Sequence, residues 1–267
     1  MMRTLLTRRW LAAFAAATAF FVVCLFLGRW QWGRHEDRSA YAAAVTRNYD
    51  AAPVPLDRVL PAGAPLAEDR LWTRVTATGS YDRGAQQLVR NRPQNVVYGY
   101  EVIVPLRLPD GTALLVDRGW VRNAETATTL PDVPPAPSGP VTVTGWLRQG
   151  EDSLDRTLPS GQLASINLDE AAQATGTTPR RAYLVLQSED DGSGTSPPRP
   201  AALLPPDTDT GPHFAYALQW WGGSVVGFVI TIVYLRRELH DRAVLEGRAQ
   251  LKERRPKKQR IWDEEDG

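Results

Sequence analysis

Residues 10–28 (WLAAFAAATAFFVVCLFLG) and residues 214–235 (FAYALQWWGGSVVGFVITIVYL) decide the architecture of this chain of 267 residues. The two stretches run for 19 and 22 residues without a charged side chain. As α-helices they would be roughly 28 and 33 Å long, and the hydrocarbon core of a bilayer is about 30 Å thick. The sequence therefore predicts two transmembrane helices that flank one mostly polar domain.

The arginines and lysines predict which side of the membrane each segment occupies, because basic loops stay in the cytoplasm. Arginines lie on both sides of the first span, so that span alone does not decide the orientation. The second span is followed by ten basic residues: Arg236, Arg237, Arg242, Arg248, Lys252, Arg254, Arg255, Lys257, Lys258 and Arg260. We therefore expect residues 1–9 and 236–267 in the cytoplasm, and residues 29–213 outside it.

A secretory signal peptide is the main alternative interpretation of the first span. Residues 28–32 (GRWQW), which follow the apolar stretch, do not form a cleavage site for signal peptidase. The sequence therefore favours a retained membrane anchor. Lysine occurs only at positions 252, 257 and 258, while arginine is abundant, which is typical of GC-rich bacterial genes. The expected location is a bacterial cell membrane.

The bulk composition excludes several classes of protein. The net charge of +1 gives no global attraction for nucleic acid, so no nucleic-acid partner is expected. The single cysteine, Cys24, lies within the first span, which excludes an intramolecular disulfide and a thiolate metal cluster. The outer domain must therefore be stabilised by its own hydrophobic core.

The outer domain is predicted to be rich in β-strands. Stretches with β-branched residues or alternating polarity predict strands over residues 71–79, 86–90, 98–108, 112–121, 141–148 and 182–187. Pro105 is expected to break the third of these strands, and the turn signal at residues 109–111 (PDG) predicts a hairpin with the fourth. The expected fold is an extracytoplasmic β-rich α+β domain with an antiparallel sheet, as a partly closed barrel or a sandwich.

Two helices and two loops complete the prediction. Asn167 and Glu170 have the spacing of a capping box, and Gly176 would end that short helix. A second helix is expected to continue from the first span through Arg29 to about Asn48. Residues 130–140 and 188–212 are rich in proline and are expected to be loops.

The sequence contains none of the common enzyme motifs, so the chain is predicted not to be an enzyme. Gly-x-Ser-x-Gly, a phosphate-binding loop, His-Glu-x-x-His and a dinucleotide fingerprint are all missing. Of the three histidines, His35 and His213 lie just outside the two spans, at the same membrane surface. Neutral imidazole is a common axial ligand of haem iron.

The residues around His213 support two interpretations. Phe214, Tyr216, Trp220 and Trp221 could surround a haem, or they could form the aromatic belt that anchors many membrane spans. The same alternatives apply to Trp30 and Trp32 beside the first span. Arg29 and Arg34 could pair with haem propionates or reach lipid phosphates. The residues alone leave both interpretations open.

Four segments, in this order, resemble the Surfeit locus protein one family, which are assembly factors of cytochrome c oxidase. They are residues 28–34 (GRWQWGR), 99–121 (ending in LVDRGWV), 141–145 (VTVTG) and 213–220 (HFAYALQW). Two positions depart from the family pattern, which often has Asn where Asp117 stands and Pro where Arg122 stands. Proline-rich insertions also lengthen the loop before the second span.

The resemblance implies that this chain helps to assemble a haem–copper oxidase, and that it binds haem a and aids its insertion into the main subunit. His213 would be the axial ligand, and the surrounding site would contain Tyr216, Trp220, Arg29, Trp30, Gln31 and Arg34. The implied partners are the main oxidase subunit, other assembly factors and the lipid bilayer, and a homo-oligomer is left open. A scaffold that binds no cofactor is the alternative, and a sensor that signals through the basic tail is a third hypothesis.

The central motif of the family also implies structural roles in the outer domain. Gly119 is expected to occupy a tight backbone position, and Trp120 is expected to pack against the membrane-facing side of the domain. Arg118 would be either a charge that faces a partner or a buried ion-pair donor, and the sequence does not choose between the two.

Overall fold

The computed structural model of the chain describes residues 6–126 and 129–249. Its residues form two units, one from Asp37 to Thr210 and the other from the segments up to Glu36 and from Gly211 onward. Most of the basic residues that predict a cytoplasmic tail, from Lys252 to Arg260, lie outside the described residues.

The helices and strands follow one another in an order that places the two apolar helices at the ends. They are α1 (Arg8–Asn48), β1 (Val54–Pro55), α2 (Leu56–Val59), β2 (Arg74–Tyr81), β3 (Gln87–Gln94), β4 (Val97–Arg107), β5 (Ala113–Arg122), β6 (Pro140–Arg148), β7 (Gln162–Leu163), α3 (Leu168–Thr175), β8 (Pro179–Asp190), α4 (His213–Ser224) and α5 (Val226–Leu245). The predicted continuation of the first helix to Asn48 is confirmed, because α1 is unbroken over 41 residues.

Both terminal helices are long and apolar enough to cross a bilayer. They are α1 and the segment His213–Leu245, in which α4 and α5 meet at Val225. In the most apolar 18 residues of each helix, only 17% of the residues are buried within the protein. A soluble core helix would bury most of these side chains, whereas a lipid-facing helix exposes them. The exposure therefore agrees with membrane anchoring.

The two apolar helices run antiparallel and pack along a seam of small residues. Ala17 lies beside Gly227, where an added Cβ would be 3.4 Å from the Ala17 Cβ. The Phe21 and Phe228 rings meet with their centroids 5.8 Å apart. Cys24 also lies on this seam and is fully buried. Small residues allow two helix backbones to approach closely within a membrane.

The outer unit contains one sheet of eight strands in the order β1-β2-β6-β8-β5-β4-β3-β7, and β2 also pairs with the end of β4. Its β-rich character agrees with the prediction, but the sheet is mixed rather than antiparallel. Strand β8 runs parallel to β5, with Leu115 opposite Tyr183, and antiparallel to β6. Parallel pairing requires a long crossover, and β6, β7 and α3 lie in the chain between β5 and β8.

Strand β4 continues through Pro105, contrary to the predicted break. Pro105 stands opposite Leu115 of β5 in an unbroken register. On the other side of β4, pairing with β3 ends at Ile103 and pairing with β2 begins at Leu106. Proline cannot donate a hydrogen bond to a neighbouring strand. It is tolerated here because it lies in the gap between the two partner strands.

The predicted turn and helix cap are formed in the outer unit. The Asp110 carboxylate accepts a hydrogen bond from Thr112 N at 2.9 Å, and Gly111 has a φ of +84°. Asn167 Oδ1 accepts hydrogen bonds from the N–H groups of residues 169 and 170 at the start of α3. The Glu170 carboxylate accepts from Ser153 Oγ. The cap is therefore confirmed, while this contact differs from the reciprocal bond of a capping box.

The hydrophobic core occupies both faces of the sheet, because apolar residues follow one another along the central strands. Val102, Val104 and Leu106 of β4 belong to the larger cluster, on one face. The alternate residue Ile103 belongs to a second cluster with residues of α3, including Leu168. Successive side chains of a strand point to opposite faces, so α3 covers the face that the larger cluster leaves open.

Candidate functional site

The candidate site lies where α4 begins, at His213. The Nδ1 atom of His213 is 2.8 Å from Oε1 of Gln31 on α1, although the two residues are 182 positions apart. Because a carboxamide oxygen only accepts hydrogen bonds, Nδ1 must carry the proton. In the neutral imidazole the lone pair then resides on Nε2. A hydrogen bond from the ring nitrogen that does not bind the metal commonly orients a metal-binding histidine.

Aromatic rings of neighbouring residues on α1 and α4 contact one another. The Trp32 ring centroid lies 5.7 Å from that of Trp221 and 5.9 Å from that of Phe214. The ring of His35, one helical turn beyond Gln31, lies 5.3 Å from that of Phe214. The helix ends therefore present a group of flat, apolar rings beside one imidazole with an available lone pair.

Two glycines permit close packing at this site. An added Cβ at Gly28 would collide with the indole ring of Trp221, so Trp221 packs directly on the α1 backbone. Gly211 has a φ of +66°, and a Cβ there would stand 3.6 Å from His213 Nε2. The absence of these two side chains lets the helices approach and keeps room beside Nε2.

The other predicted site residues lie either on the same helix as His213 or at the surface of α1. Tyr216 and Trp220 follow His213 by three and seven positions in α4, so all three share one helix face. Trp30 is 59% exposed, which suits an aromatic anchor at a lipid interface. Arg34 is also exposed, and Arg29 pairs with Glu36 at 3.3 Å. His213 and Gln31 are thus in direct contact, and the arginines remain at the surface.

The structure answers the question that the sequence left open for Arg118. Its side chain is fully buried and pairs with the buried carboxylate of Glu189, with Nη2 2.6 Å from Oε1. The same guanidinium donates to the backbone oxygens of Pro134 at 2.9 Å and of Pro198 at 3.3 Å. Tyr81 donates its hydroxyl to Glu189 at 2.8 Å. Arg118 is therefore a buried ion-pair donor that holds both proline-rich loops.

A model of the SURF1 family matches residues 18–225 of the chain. The chain belongs to the SURF1 family. The match extends from the first apolar helix to the junction of α4 and α5, so it includes Gln31, Arg118 and His213. The resemblance to the Surfeit locus protein one family is therefore confirmed.

Bacterial relatives are similar over most of their length, and a yeast relative is similar over a shorter segment. A SURF1-like protein of Mycobacterium tuberculosis is 35% identical over 222 residues, which are 81% of this chain and 79% of the relative. A SURF1-like protein of Rickettsia bellii is 22% identical over 241 residues, or 87% and 94% of the two chains. The cytochrome oxidase assembly protein SHY1 of Saccharomyces cerevisiae is 26% identical over 107 residues, 40% of this chain and 27% of SHY1.

Two residues of the central motif of this SURF1 protein, Gly119 and Trp120, contact the backbone of Ala201 in the loop before α4. Gly119 has a φ of +130°, and an added Cβ would collide with the backbone oxygen of Ala201. Trp120 donates its indole N–H to Arg92 O at 2.7 Å, and its own backbone N–H bonds to Ala201 O at 2.8 Å. The glycine is therefore required where the loop before α4 joins the edge of β5.

Asp117, the third residue of that motif, is a buried acid. Its Oδ1 accepts from Gly119 N at 3.1 Å, while its buried Oδ2 has no hydrogen-bond partner within the described residues. Burial and then the nearby Glu101 carboxylate raise the pKa of Asp117 well above its usual range. Burial also raises the pKa of Glu101, although Arg92 pairs with it at 3.2 Å. The fold therefore favours the protonated form of Asp117.

Proposed function

We propose that this SURF1 protein is a non-enzymatic assembly factor for a haem–copper cytochrome c oxidase, and that it binds haem a through His213. The observation that carries the proposal is the hydrogen bond of 2.8 Å between His213 Nδ1 and Gln31 Oε1. It leaves Nε2 as the nitrogen with a lone pair, which is the form that an iron ligand requires. The similarity to the assembly protein SHY1 supports the oxidase as the target.

The residues present fit a haem in three respects. His213 supplies the nitrogen ligand, and Gln31 fixes its tautomer. Gly211 keeps the space beside Nε2 free of a side chain. Tyr216 and Trp220 lie on the same face of α4 as His213 and offer aromatic surface to a flat macrocycle.

Each of these residues would act on the cofactor in a definable way. When bound, haem a would supply an iron that accepts a neutral imidazole nitrogen as a ligand, and His213 would provide that nitrogen. Gln31 holds the imidazole ring in one orientation, which preserves affinity for the iron. The exposed ion pair between Arg29 and Glu36 is weak in water, so Arg29 can exchange Glu36 for a propionate, and Arg34 is exposed for the same purpose.

The proposal includes the orientation and the partners of the protein. Both termini would be cytoplasmic, and the β-rich unit would face the outer side of a bacterial cell membrane. Haem held near the outer ends of the two helices would pass to the main oxidase subunit within the same membrane. Other assembly factors would approach from the outer side. The ten basic residues that follow the second apolar stretch support this orientation.

Replacement of His213 tests the proposal. The wild-type protein and the His213→Ala variant are purified from cells that make haem a, and their visible absorption spectra and haem content are compared. We expect wild-type protein to carry haem a and the variant to lose at least about nine-tenths of it, because mutation of a residue that only hydrogen-bonds to a metal ligand typically costs 10–100-fold in affinity, and this variant removes the proposed ligand itself. Oxidase activity in the cells should fall in parallel.

Two matched controls use the remaining histidines. His240→Ala alters an exposed residue of α5, and His35→Ala alters the imidazole that contacts Phe214. Both variants should retain haem. Loss of haem in His35→Ala alone would assign the iron to His35 instead. A wild-type protein without haem whose His213→Ala variant still supports oxidase assembly would favour the scaffold that binds no cofactor.

A further inference from the structure

The tip of the hairpin between β3 and β4 has an unusual conformation for its sequence. Gln94 pairs with Val97, so Asn95 and Val96 form a turn of two residues. Their φ angles are +50° and +65°. This combination belongs to type I′ turns, in which Asn-Gly is the preferred sequence. A β-branched residue with a positive φ is strained, because its Cβ crowds the backbone.

The side chain of Val96 contributes almost no packing to the outer unit. It is 96% exposed, the largest exposure among the large hydrophobic residues of the described chain. Glycine would relieve the strain, and a polar residue would remove the apolar exposure. The valine satisfies neither requirement of the fold, and a strained, exposed residue of this kind points to a contact outside the folded unit.

The neighbours of Val96 indicate the kind of surface that it contacts. Tyr98, two residues further along, is 61% exposed. Arg122, opposite Gly99 at the end of β5, is also exposed. An apolar tip, a tyrosine and an arginine match the hydrocarbon edge, the headgroup region and the phosphates of a bilayer. A stable protein–protein interface buries more than about 1,000 Å², and a turn of two residues offers far less area.

The tip is also fixed to the segment that leads into α4. Gln94 Nε2 donates a hydrogen bond to Ala202 O at 3.0 Å, and Leu204 in the same segment is 53% exposed. From Ala202 to the start of α4 at His213 the chain has eleven residues, which span at most about 40 Å. The tip is therefore fixed to a segment whose remaining eleven residues lead directly into α4.

We propose that the hairpin tip inserts Val96 at the hydrocarbon edge of the bilayer that anchors the chain. Tyr98 would lie among the headgroups, and the Arg122 guanidinium would reach lipid phosphates. The β-rich unit would then have three attachments to the membrane, namely its two flanking helices and this tip. The proposal depends on membrane anchoring and is independent of haem binding.

Spin labelling of the full chain tests the proposal. Val96→Cys is labelled with a nitroxide in vesicles of phosphatidylcholine and phosphatidylglycerol, and its collision rates with oxygen and with a water-soluble nickel chelate are measured. The native Cys24 is fully buried within the helix seam, and it is replaced by alanine in every variant. Pro109→Cys is the matched control, because Pro109 is exposed and lies just beyond the opposite end of β4, about 40 Å away along the strand.

We expect the label at position 96 to collide several-fold more often with oxygen than with the nickel chelate, and the label at position 109 to show the reverse. Free access of the nickel chelate to position 96 would place the tip in water and overturn the proposal. Shielding from both reagents would indicate contact with protein, such as a second copy, and would also overturn it.

A second variant tests the premise that Val96 is not required by the fold. Val96→Gly should leave the thermal unfolding midpoint of the full chain unchanged or raised, because it relieves the strained backbone. A lower midpoint would show that the valine stabilises the unit itself, and the inference from its exposure would then fail.

Discussion

Arg118→Met should lower the free energy of unfolding of the outer unit by about 3–5 kcal/mol. The variant leaves the Glu189 carboxylate buried without its charged partner. It also removes the donor to Pro134 O and Pro198 O, which joins both proline-rich loops to β5. The measurement is urea unfolding of the full chain in detergent, followed by tryptophan fluorescence.

The matched control for this variant lies on the same strand. Arg122→Met removes an exposed arginine from the end of β5 and should change stability by no more than about 0.5 kcal/mol. Addition of Glu189→Gln to Arg118→Met should recover part of the loss, because the uncompensated buried charge disappears. Equal stability of the Arg118 and Arg122 variants would contradict the buried ion pair.

Asp117→Asn should raise the free energy of unfolding at pH 7 by about 1 kcal/mol or more, because burial raises the pKa of the Asp117 carboxyl and each pKa unit corresponds to about 1.4 kcal/mol, whereas the amide does not ionise. The side-chain oxygen of asparagine can still accept from Gly119 N, so the hydrogen bond of Oδ1 is preserved. The variant removes the need to bury a carboxylate whose Oδ2 has no hydrogen-bond partner within the described residues. The measurement is the same urea unfolding, repeated across a range of pH.

The pH dependence of that difference has a definite sign. Burial raises the pKa of Asp117 in the folded state, so the folded protein binds the proton more tightly than the unfolded chain. The wild-type protein therefore loses stability as the pH rises from the unfolded pKa of about 3.9 toward the folded value. Asp117→Asn should match the wild type below that range and exceed it above. A constant difference between the two proteins at every pH would contradict the raised pKa of Asp117.

Local signals in the sequence predicted much of the fold. The cap at Asn167, the helix end at Gly176 and the continuation of α1 to Asn48 each depend on a few neighbouring residues. The strand positions followed from alternation and β-branching. The parallel pairing of β5 with β8 was not predictable in this way, because it depends on how a crossover of more than fifty residues folds.

Two local features were missed because their sequences are atypical. Proline usually ends a strand, and nothing in the sequence around Pro105 shows that β4 changes partner strands there. The turn at Asn95 and Val96 lacks the glycine that marks a type I′ hairpin, so the sequence prediction ended β3 at residue 90. The valine at position 96, where glycine is usual, is the basis of the proposed membrane contact.

The sequence predicted which residues form the candidate site, but it did not predict the contacts between them. The family resemblance placed His213 and Gln31 in one site, but it did not predict the hydrogen bond between them, which joins helices from opposite ends of the chain. Glu189 and Tyr81, which hold Arg118 in the core, were not identified, because they are distant from Arg118 in sequence. Such long-range pairs follow from the packing of the sheet and of the helix seam, and no local spacing indicates them.

The antiparallel pairing of the two apolar helices is the central claim of this account, because it brings His213 to Gln31. Disulfide cross-linking in membranes tests it most directly. At Ala17 and Gly227 the Cβ positions are 3.4 Å apart, close to the separation in a disulfide. With Cys24 replaced by alanine, Ala17→Cys with Gly227→Cys should oxidise to an intramolecular disulfide, while Ala17→Cys with Val229→Cys, on an exposed face of α5, should not. Equal cross-linking of both pairs, or none for the first, would contradict the helix pairing.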